Sequence, residues 1–172
     1  MKKHELLEKY EGFTRVRVGA ILIEKKSILL VRQQSMFDSS VAHLLPPGGG
    51  VDFQETLQDA VIRECFEETG LSVIPERLVY INEFIFDRVH AVEFYFLVSR
   101  KNEKMPEIGF DPELPAEHQI LREVLWVPLS EISNQNFIPV SLGKVLKAHE
   151  ETGFRNHPVH LSFDPDCLNS SR

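Results

Sequence analysis

Three carboxylates crowd one short stretch of this chain: Glu64, Glu67 and Glu68. From Leu57 to Glu68 there is no Gly or Pro, so the spacing predicts a helix there, ended by Gly70 as its C′ residue. Residues three and four apart stand on one helix face within about one turn. Like charges so placed repel, at a cost of about a few tenths of a kcal/mol per pair. They also lie near the helix C-terminus, where the macrodipole disfavours anions. A bound cation turns both penalties into an attraction. Clustered hard oxygens suit Mg²⁺ or Mn²⁺, whereas zinc would call for His or Cys. A solvated acidic face is the alternative that these three residues alone leave equally open. Arg63, four residues before Glu67, offers partial neutralisation under either reading. Upstream, Gly48-Gly49-Gly50 follows Pro46-Pro47, a loop whose backbone can approach a ligand closely.

These residues need elements to hold them. Thr56 is the expected N-cap, with Asp59 three residues on as an acidic variant of the capping box. Arg15 to Glu24 begins with alternation and then turns wholly apolar, as a half-buried strand would. Glu24-Lys25-Lys26 reads as a charged turn into a second strand, Ser27 to Gln33. Residues 34–43 read as polar and irregular. Leu78 to Phe86 and Ala91 to Ser99 read as strands joined at Asp87-Arg88, and Glu123 to Val127 as a last strand. Pro139 to Glu151 reads as a last helix, with Val140, Leu142, Val145 and Leu146 inward. Between them, residues 100–121 form a loop rich in Pro and acid. Strands on both sides of a helix imply an α/β fold, a mixed β-sheet covered by helices. Residues 1–152 are expected to form a single domain, with 1–12 as an N-terminal arm. The segment 153–172 is expected to be a tail, disordered in part.

Composition narrows the function classes. The 172 residues are 42% hydrophobic and 26% charged, a globular balance. With 19 Lys and Arg against 26 Asp and Glu, the net charge is −7, which excludes non-specific nucleic-acid binding and polybasic attachment to a membrane. A phosphate substrate stays open, because a metal can bring the positive charge. The longest apolar run, Val18 to Ile23, is far below the ~20 residues that span a bilayer. Met1-Lys2-Lys3-His4 is followed by Glu5, Glu8 and Glu11, where a signal peptide would need apolar residues. Cys65 and Cys167 are too few for a disulfide framework and lack a zinc spacing. The expected compartment is the cytoplasm.

The wider pattern is more specific. Gly49, five residues, Glu55, seven residues, then Arg63-Glu64-Cys65-Phe66-Glu67-Glu68-Thr69-Gly70-Leu71 resembles the signature of the Nudix hydrolases, G-x5-E-x7-R-E-U-x-E-E-x-G-U with U a bulky aliphatic residue. Every fixed position is matched except the first U, where Cys65 stands. Cysteine is small and readily buried, so slightly looser packing is expected there and no change in chemistry. The Leu45-Pro46 entry and Trp126-Val127-Pro128-Leu129 also look like the family, and the resemblance spans roughly residues 14–150.

The resemblance implies a three-layer α/β/α sandwich and metal-dependent hydrolysis of a phosphoanhydride in a nucleoside diphosphate linked to another moiety. It implies Glu67 and Glu68 as metal ligands, Glu64 as a ligand or as the base that prepares water, and the Gly49 carbonyl as a further ligand. Arg63 would orient the glutamate row, and Glu55 would brace the loop or touch metal-bound water. Gly48 and Gly50 would admit the diphosphate. Some members take the base from a later loop; Glu113, Glu117 and Glu123 are candidates, with Glu117 preferred for its place before the last strand. Arg15, Arg17 and Arg32 could contact phosphate or base, or simply line an exposed face. Phe84, Phe86, Phe94 and Tyr95 could include a stacking platform, although strand aromatics are more often core. Trp126 is expected in the core, and His43, His90, His157 and His160 are expected to be ordinary surface or satisfied residues.

Substrate markers of the family are missing. About sixteen residues past the box the chain reads Ile85-Phe86-Asp87-Arg88, without the proline of ADP-ribose hydrolases or the tyrosine of dinucleoside polyphosphate hydrolases. Nucleoside triphosphates, oxidised nucleotides and nucleotide sugars stay open. The expected partner is a small nucleoside diphosphate derivative, and a homodimer is compatible with the family. Two other readings compete with the hydrolase. One is a non-catalytic nucleotide sensor, which would usually have lost part of the acidic row. The other is an isomerase acting on an isoprenoid diphosphate, which Cys65 disfavours because it lies in the helix and not in a loop.

Overall fold

The computed structural model describes residues 11–35, 40–86, 89–110, 112, 115, 119–155 and 158–161. Among the described residues, eight strands and two α-helices follow one another: β1 (Thr14–Ile21), β2 (Ile23–Glu24), β3 (Ser27–Gln34), β4 (Ala42–Leu45), α1 (Leu57–Thr69), β5 (Val73–Phe86), β6 (Val89–Arg100), β7 (Leu121–Pro128), a 3-10 turn at Leu129–Asn134, α2 (Val140–Glu151) and β8 (Val159–Leu161). Strand bounds run a few residues beyond the sequence expectations, most of all at the start of β5. Two segments expected to be irregular contain strands. Ala42–Leu45 pairs antiparallel with β3, and Val159–Leu161, inside the segment read as a tail, pairs parallel with β5.

The first sheet is mixed, in the order β1-β6-β5-β8, with β1 parallel to β6 and β5 antiparallel to it. The second is antiparallel: β2 and β4 pair with β3, and β7 also pairs with β3. Lys25 and Lys26 both have positive φ, 48° and 62°, and close the two-residue turn between Glu24 and Ser27. That is the backbone twist a tight hairpin demands, here adopted without Gly or Asn.

Alternation sorts the strand residues into two cores. Val18, Ala20, Leu22, Leu29, Phe96 and Val98 pack with Ala60, Val61 and Cys65 of α1. Ile21, Ile28, Leu30, Tyr80 and Tyr95 point the other way and pack with Leu142 and Leu146 of α2. The result is helix, sheet, helix: an α/β/α sandwich with a mixed sheet, as the sequence implied. Trp126 is partly buried against the α1 side. Among the described residues, no helix is long and apolar enough to cross a membrane.

Candidate active site

The glutamate row is carried by α1. Thr56 caps it: its Oγ1 accepts the Asp59 N–H at 3.1 Å and donates to the Asp59 carboxylate at 2.6 Å. Gly70 ends it in the left-handed conformation, φ 68°, and its N–H donates to the Phe66 carbonyl. The buried residues of α1 are Ala60, Val61, Glu64, Cys65, Glu68 and Thr69. Helical periodicity therefore places two carboxylates, Glu64 at 7% exposure and Glu68 at 5%, on the stripe that faces the sheet. Burying carboxylates is costly unless partners meet them.

The partners come from the glycine loop and from Arg63. The loop runs along β1: Ala20 N–H donates to the Pro47 carbonyl, Val18 N–H to the Gly49 carbonyl and Val51 N–H to the Val16 carbonyl. The Gly48 N–H and the Gly50 carbonyl face away from β1 in that alternation. The Gly48 N–H donates to Glu68 Oε2 at 2.9 Å, and the Gly50 carbonyl accepts from Arg63 at 2.9 Å. A Cβ at Gly48 would meet the Val18 carbonyl, and one at Gly49 would meet the Glu64 carboxylate. Both positions need glycine for close approach, not for an unusual φ.

Arg63 is the hub. It grips Glu55 with two bonds, Nε to Oε1 at 2.9 Å and Nη2 to Oε2 at 2.8 Å. Its Nη1 donates to Glu64 at 2.8 Å and to Glu67 at 3.3 Å. A planar fork suits such multiple grip, which a lysine could not reproduce. The strongest partner of Arg63 is thus Glu55, eight residues earlier, and the expected helical neighbour Glu67 is the longer contact. Hydrogen bonding from Arg63 holds the Glu55 carboxyl below its usual range. Glu55 also accepts the Asp52 N–H at 3.0 Å, so it fastens the loop to the helix.

Burial pushes the Glu64 carboxyl up to about 7, with the charge of Glu67 adding to the rise and Arg63 opposing it. A buried acid beside other acids is where a cation is most welcome. The donor set fits a hard divalent ion in kind, yet among the described residues no three acidic, His or Cys side chains are gathered closely enough to hold one as they stand. An ion would have to draw Glu64 and Glu67 from Arg63. A consequence is measurable: if Glu64 is a ligand, its proton competes with the metal, so Mn²⁺ affinity should rise with pH and level off above about 7. Calorimetry near pH 6 in buffers of differing ionisation heat should show almost one proton released per ion, and none near pH 9. Equal affinity at both pH values would reject this assignment. In the metal-free fold the same shift acts against stability as pH rises from about 4.5 to about 7, because the unfolded chain ionises first.

The remaining expectations fall in different places. Arg17 pairs with Gly50 and, at 3.4 Å, with Glu93 of β6. Glu93 also accepts from Tyr95 Oη at 3.0 Å and from Asn82 at 2.9 Å, and Ser141 of α2 donates to Asn82 at 3.3 Å. Burial works against the Arg17 charge, but Glu93, Tyr95, Glu68 and Glu64 outweigh it and raise its pKa. This polar chain beneath the loop, Glu93 and Asn82 above all, was not singled out from the sequence. The available signal was a polar residue beside apolar ones, Asn82 after Ile81 and Glu93 between Val92 and Phe94. Arg15 lies on the same strand, in register with Ala91. Arg32 is bonded to Glu123 at 2.9 Å across β3 and β7, so neither joins the glutamate row here. Glu113 and Glu117 lie outside the described residues, as do His157 and the side chain of Phe86. Tyr95 is core at 5% exposure. Its ring covers Gly19, where any Cβ would collide with it. His90 bridges Thr14 and Glu83, and Nδ1 of His43 is buried without a partner. Cys65 is fully buried, its thiol pushed up to about 12 by burial, which leaves it inert as a nucleophile.

The family model for the NUDIX domain matches residues 13–148. The chain belongs to the NUDIX family. Among curated relatives, this NUDIX protein is 33% identical to the m7GpppN-mRNA hydrolase NUDT17 of Danio rerio over 118 residues, covering 59% of this chain and 39% of the relative. It is 32% identical over 87 residues to the 8-oxo-dGTP diphosphatase of Escherichia coli K12, covering 50% of this chain and 66% of the relative. It thus spans less than two thirds of either. Among solved structures it is similar to a MutT NUDIX hydrolase from Burkholderia pseudomallei, at 25% identity and a TM-score of 0.55, covering 69% of this chain and 85% of that one. The MutT protein from Methanosarcina mazei, at 20% identity and a TM-score of 0.65 with 81% and 95% covered, shares the fold.

Proposed function

We propose that this NUDIX protein is a Mg²⁺-dependent pyrophosphohydrolase, with Mn²⁺ as a substitute, acting on a nucleoside diphosphate linked to another moiety. The observation that carries the reading is the Arg63 hub, which ties Glu55, Glu64 and Glu67 to the glycine loop so that the acidic row faces it. Family membership and the names of the two curated relatives support it, since both act on nucleotides.

In this reading Glu67 and Glu68, with Glu64 and the Gly49 carbonyl as further ligands, would hold the ion. When bound, the cation would supply screening of the phosphate oxygens, a more acidic water and a stabilised leaving phosphate. Gly48 and Gly50 keep the loop bare so that a diphosphate can lie close to the row. Arg63 holds the carboxylates in register and, through Glu55, keeps the loop against the helix. Glu64 is either a ligand or the base that prepares water, and Glu117 of the acidic loop is the other candidate for that base. Water adds across the anhydride, giving a nucleoside monophosphate and the remaining phosphorylated part.

The test is incubation with Mg²⁺ and a panel including 8-oxo-dGTP, a capped dinucleotide, ADP-ribose and UDP-sugars, with products read by chromatography. At least one compound should be cleaved at the anhydride, and chelation of the metal should stop it. If the panel is bound, seen as a thermal shift, yet nothing is cleaved, the chain is a nucleotide sensor and the hydrolase reading fails.

A further inference from the structure

The last four carbonyls of a helix have no partner within it. In α1 these belong to Phe66, Glu67, Glu68 and Thr69, two of them the proposed metal ligands. Gly70 N–H serves the Phe66 carbonyl at 2.8 Å. The other three are served from a segment that follows β6: Phe110 N–H bonds to the Glu67 carbonyl at 3.0 Å, Gly109 N–H to Glu68 at 2.9 Å and Glu107 N–H to Thr69 at 2.9 Å. The helix has no basic residue in its last turn. Lys104 supplies one from the segment: its Nζ lies 3.2 Å from where a Gly70 Cβ would stand. Amide donors and an ammonium thus meet the negative end of the dipole where the carboxylates make it least favourable.

Side chains hold the segment only weakly: Met105, Ile108 and Phe110 are 68%, 52% and 49% exposed, and Lys104 pairs with Glu107 at 3.6 Å. It is anchored at its root, where Arg100 grips Glu24 with two bonds of 2.6 Å and donates to the Lys104 carbonyl at 3.0 Å. At its tip Gly109 lies so close to the helix end that a Cβ would collide with the Glu67 carbonyl. A loop that leaves its apolar groups half or more exposed while directing three donors within four residues at a helix end is built to fix the backbone there.

We propose that Glu107–Phe110 is a main-chain clasp that sets the geometry of the metal site, and that Gly109 is its positioning residue. The inference rests on the hydrolase reading above, in which Glu67 and Glu68 are ligands. Both residues hang from the backbone units that the clasp holds, so loosening it changes where the two carboxylates converge without removing either.

The test is Mn²⁺ binding followed by electron paramagnetic resonance, with thermal melts, on the parent, Gly109→Ala, Phe110→Pro and Phe110→Ala. The first two variants should bind Mn²⁺ about 10- to 100-fold more weakly, the range seen when groups supporting metal ligands are lost. Their turnover should recover when Mn²⁺ is raised to saturation. Phe110→Ala keeps the N–H and should match the parent. A lowered Tm with parental Mn²⁺ affinity would make the clasp structural only and overturn the proposal, as would weak binding in Phe110→Ala. If Gly109→Ala fails to fold, Phe110→Pro decides. If the parent itself binds no Mn²⁺, the hydrolase reading fails; if the parent binds and the clasp variants bind equally well, the clasp alone is rejected.

Discussion

Glu68→Gln should lower kcat about a hundred- to a thousandfold, the scale on which losing one preorganised charge-stabilising group acts. The substitution keeps the shape, and the amide oxygen can still accept the Gly48 N–H that Glu68 Oε2 now accepts at 2.9 Å. What it removes is one negative charge from a residue only 5% exposed, a charge that burial disfavours and that the Gly48 N–H and Arg17 favour. In chelator the variant should therefore melt close to the parent temperature; in saturating Mg²⁺ it should lose most of the stabilisation that the parent gains. Initial rates and thermal denaturation with and without Mg²⁺ check both arms. A variant that turns over within about threefold of the parent would remove Glu68 from the metal site.

Arg63→Lys is expected to be nearly as severe, although the charge is kept. The guanidinium reaches Glu55, Glu64, Glu67 and the Gly50 carbonyl at once, and one ammonium cannot span that set. Freed of their partner, Glu55 and Glu64 repel, and the loop loses its tie to the helix. Stability should fall by about 2–4 kcal/mol, somewhat less than for a fully buried pair because Arg63 is 27% exposed. Activity should fall about a hundredfold. Urea denaturation and rates at several Mg²⁺ concentrations separate the two effects. Since Arg63 opposes the rise of the Glu64 pKa, the variant has a second signature: its weak binding should go on rising to a higher pH than the parent's. Parental kinetics in Arg63→Lys would show that the fork geometry is incidental.

How much of this was readable beforehand depends on sequence distance. Thr56, the unbroken run to Glu68, and Gly70 are local signals, and the helix they outline is the one observed. The glutamate face follows from that helix alone. The partner of Arg63 was harder, since Glu55 lies before the cap and reaches Arg63 only once the loop folds back. Arg17, Glu93 and Asn82 meet because β1 pairs with β6 and β6 with β5, long-range registers that no spacing announces. Ala42–Leu45 was hidden by the prolines that follow it, and Val159–Leu161 by its brevity and its flanking His and Pro. Each is a strand because β3 or β5 offers an open edge, not because of its own propensity. The segment at Gly109 looked like any loop rich in Pro and acid, for its bonds to the helix end are all main-chain.

The parallel register of β1 with β6 also orders events in time. Thr14 lies opposite His90 and Ile21 opposite Leu97, so the first strand of the sheet waits for a neighbour made after the second sheet's hairpins, the glutamate helix and β5. Contacts so distant in sequence must overcome loop-closure entropy before they stabilise anything, which slows folding into the range of milliseconds to seconds. On the ribosome, one edge of Val18–Ile21 stays unpaired until Arg100 has emerged, and the buried carboxylates of α1 have no sheet to pack on. The chain's most aggregation-prone interval therefore falls midway through its synthesis, when the glutamate helix is complete and its platform is not.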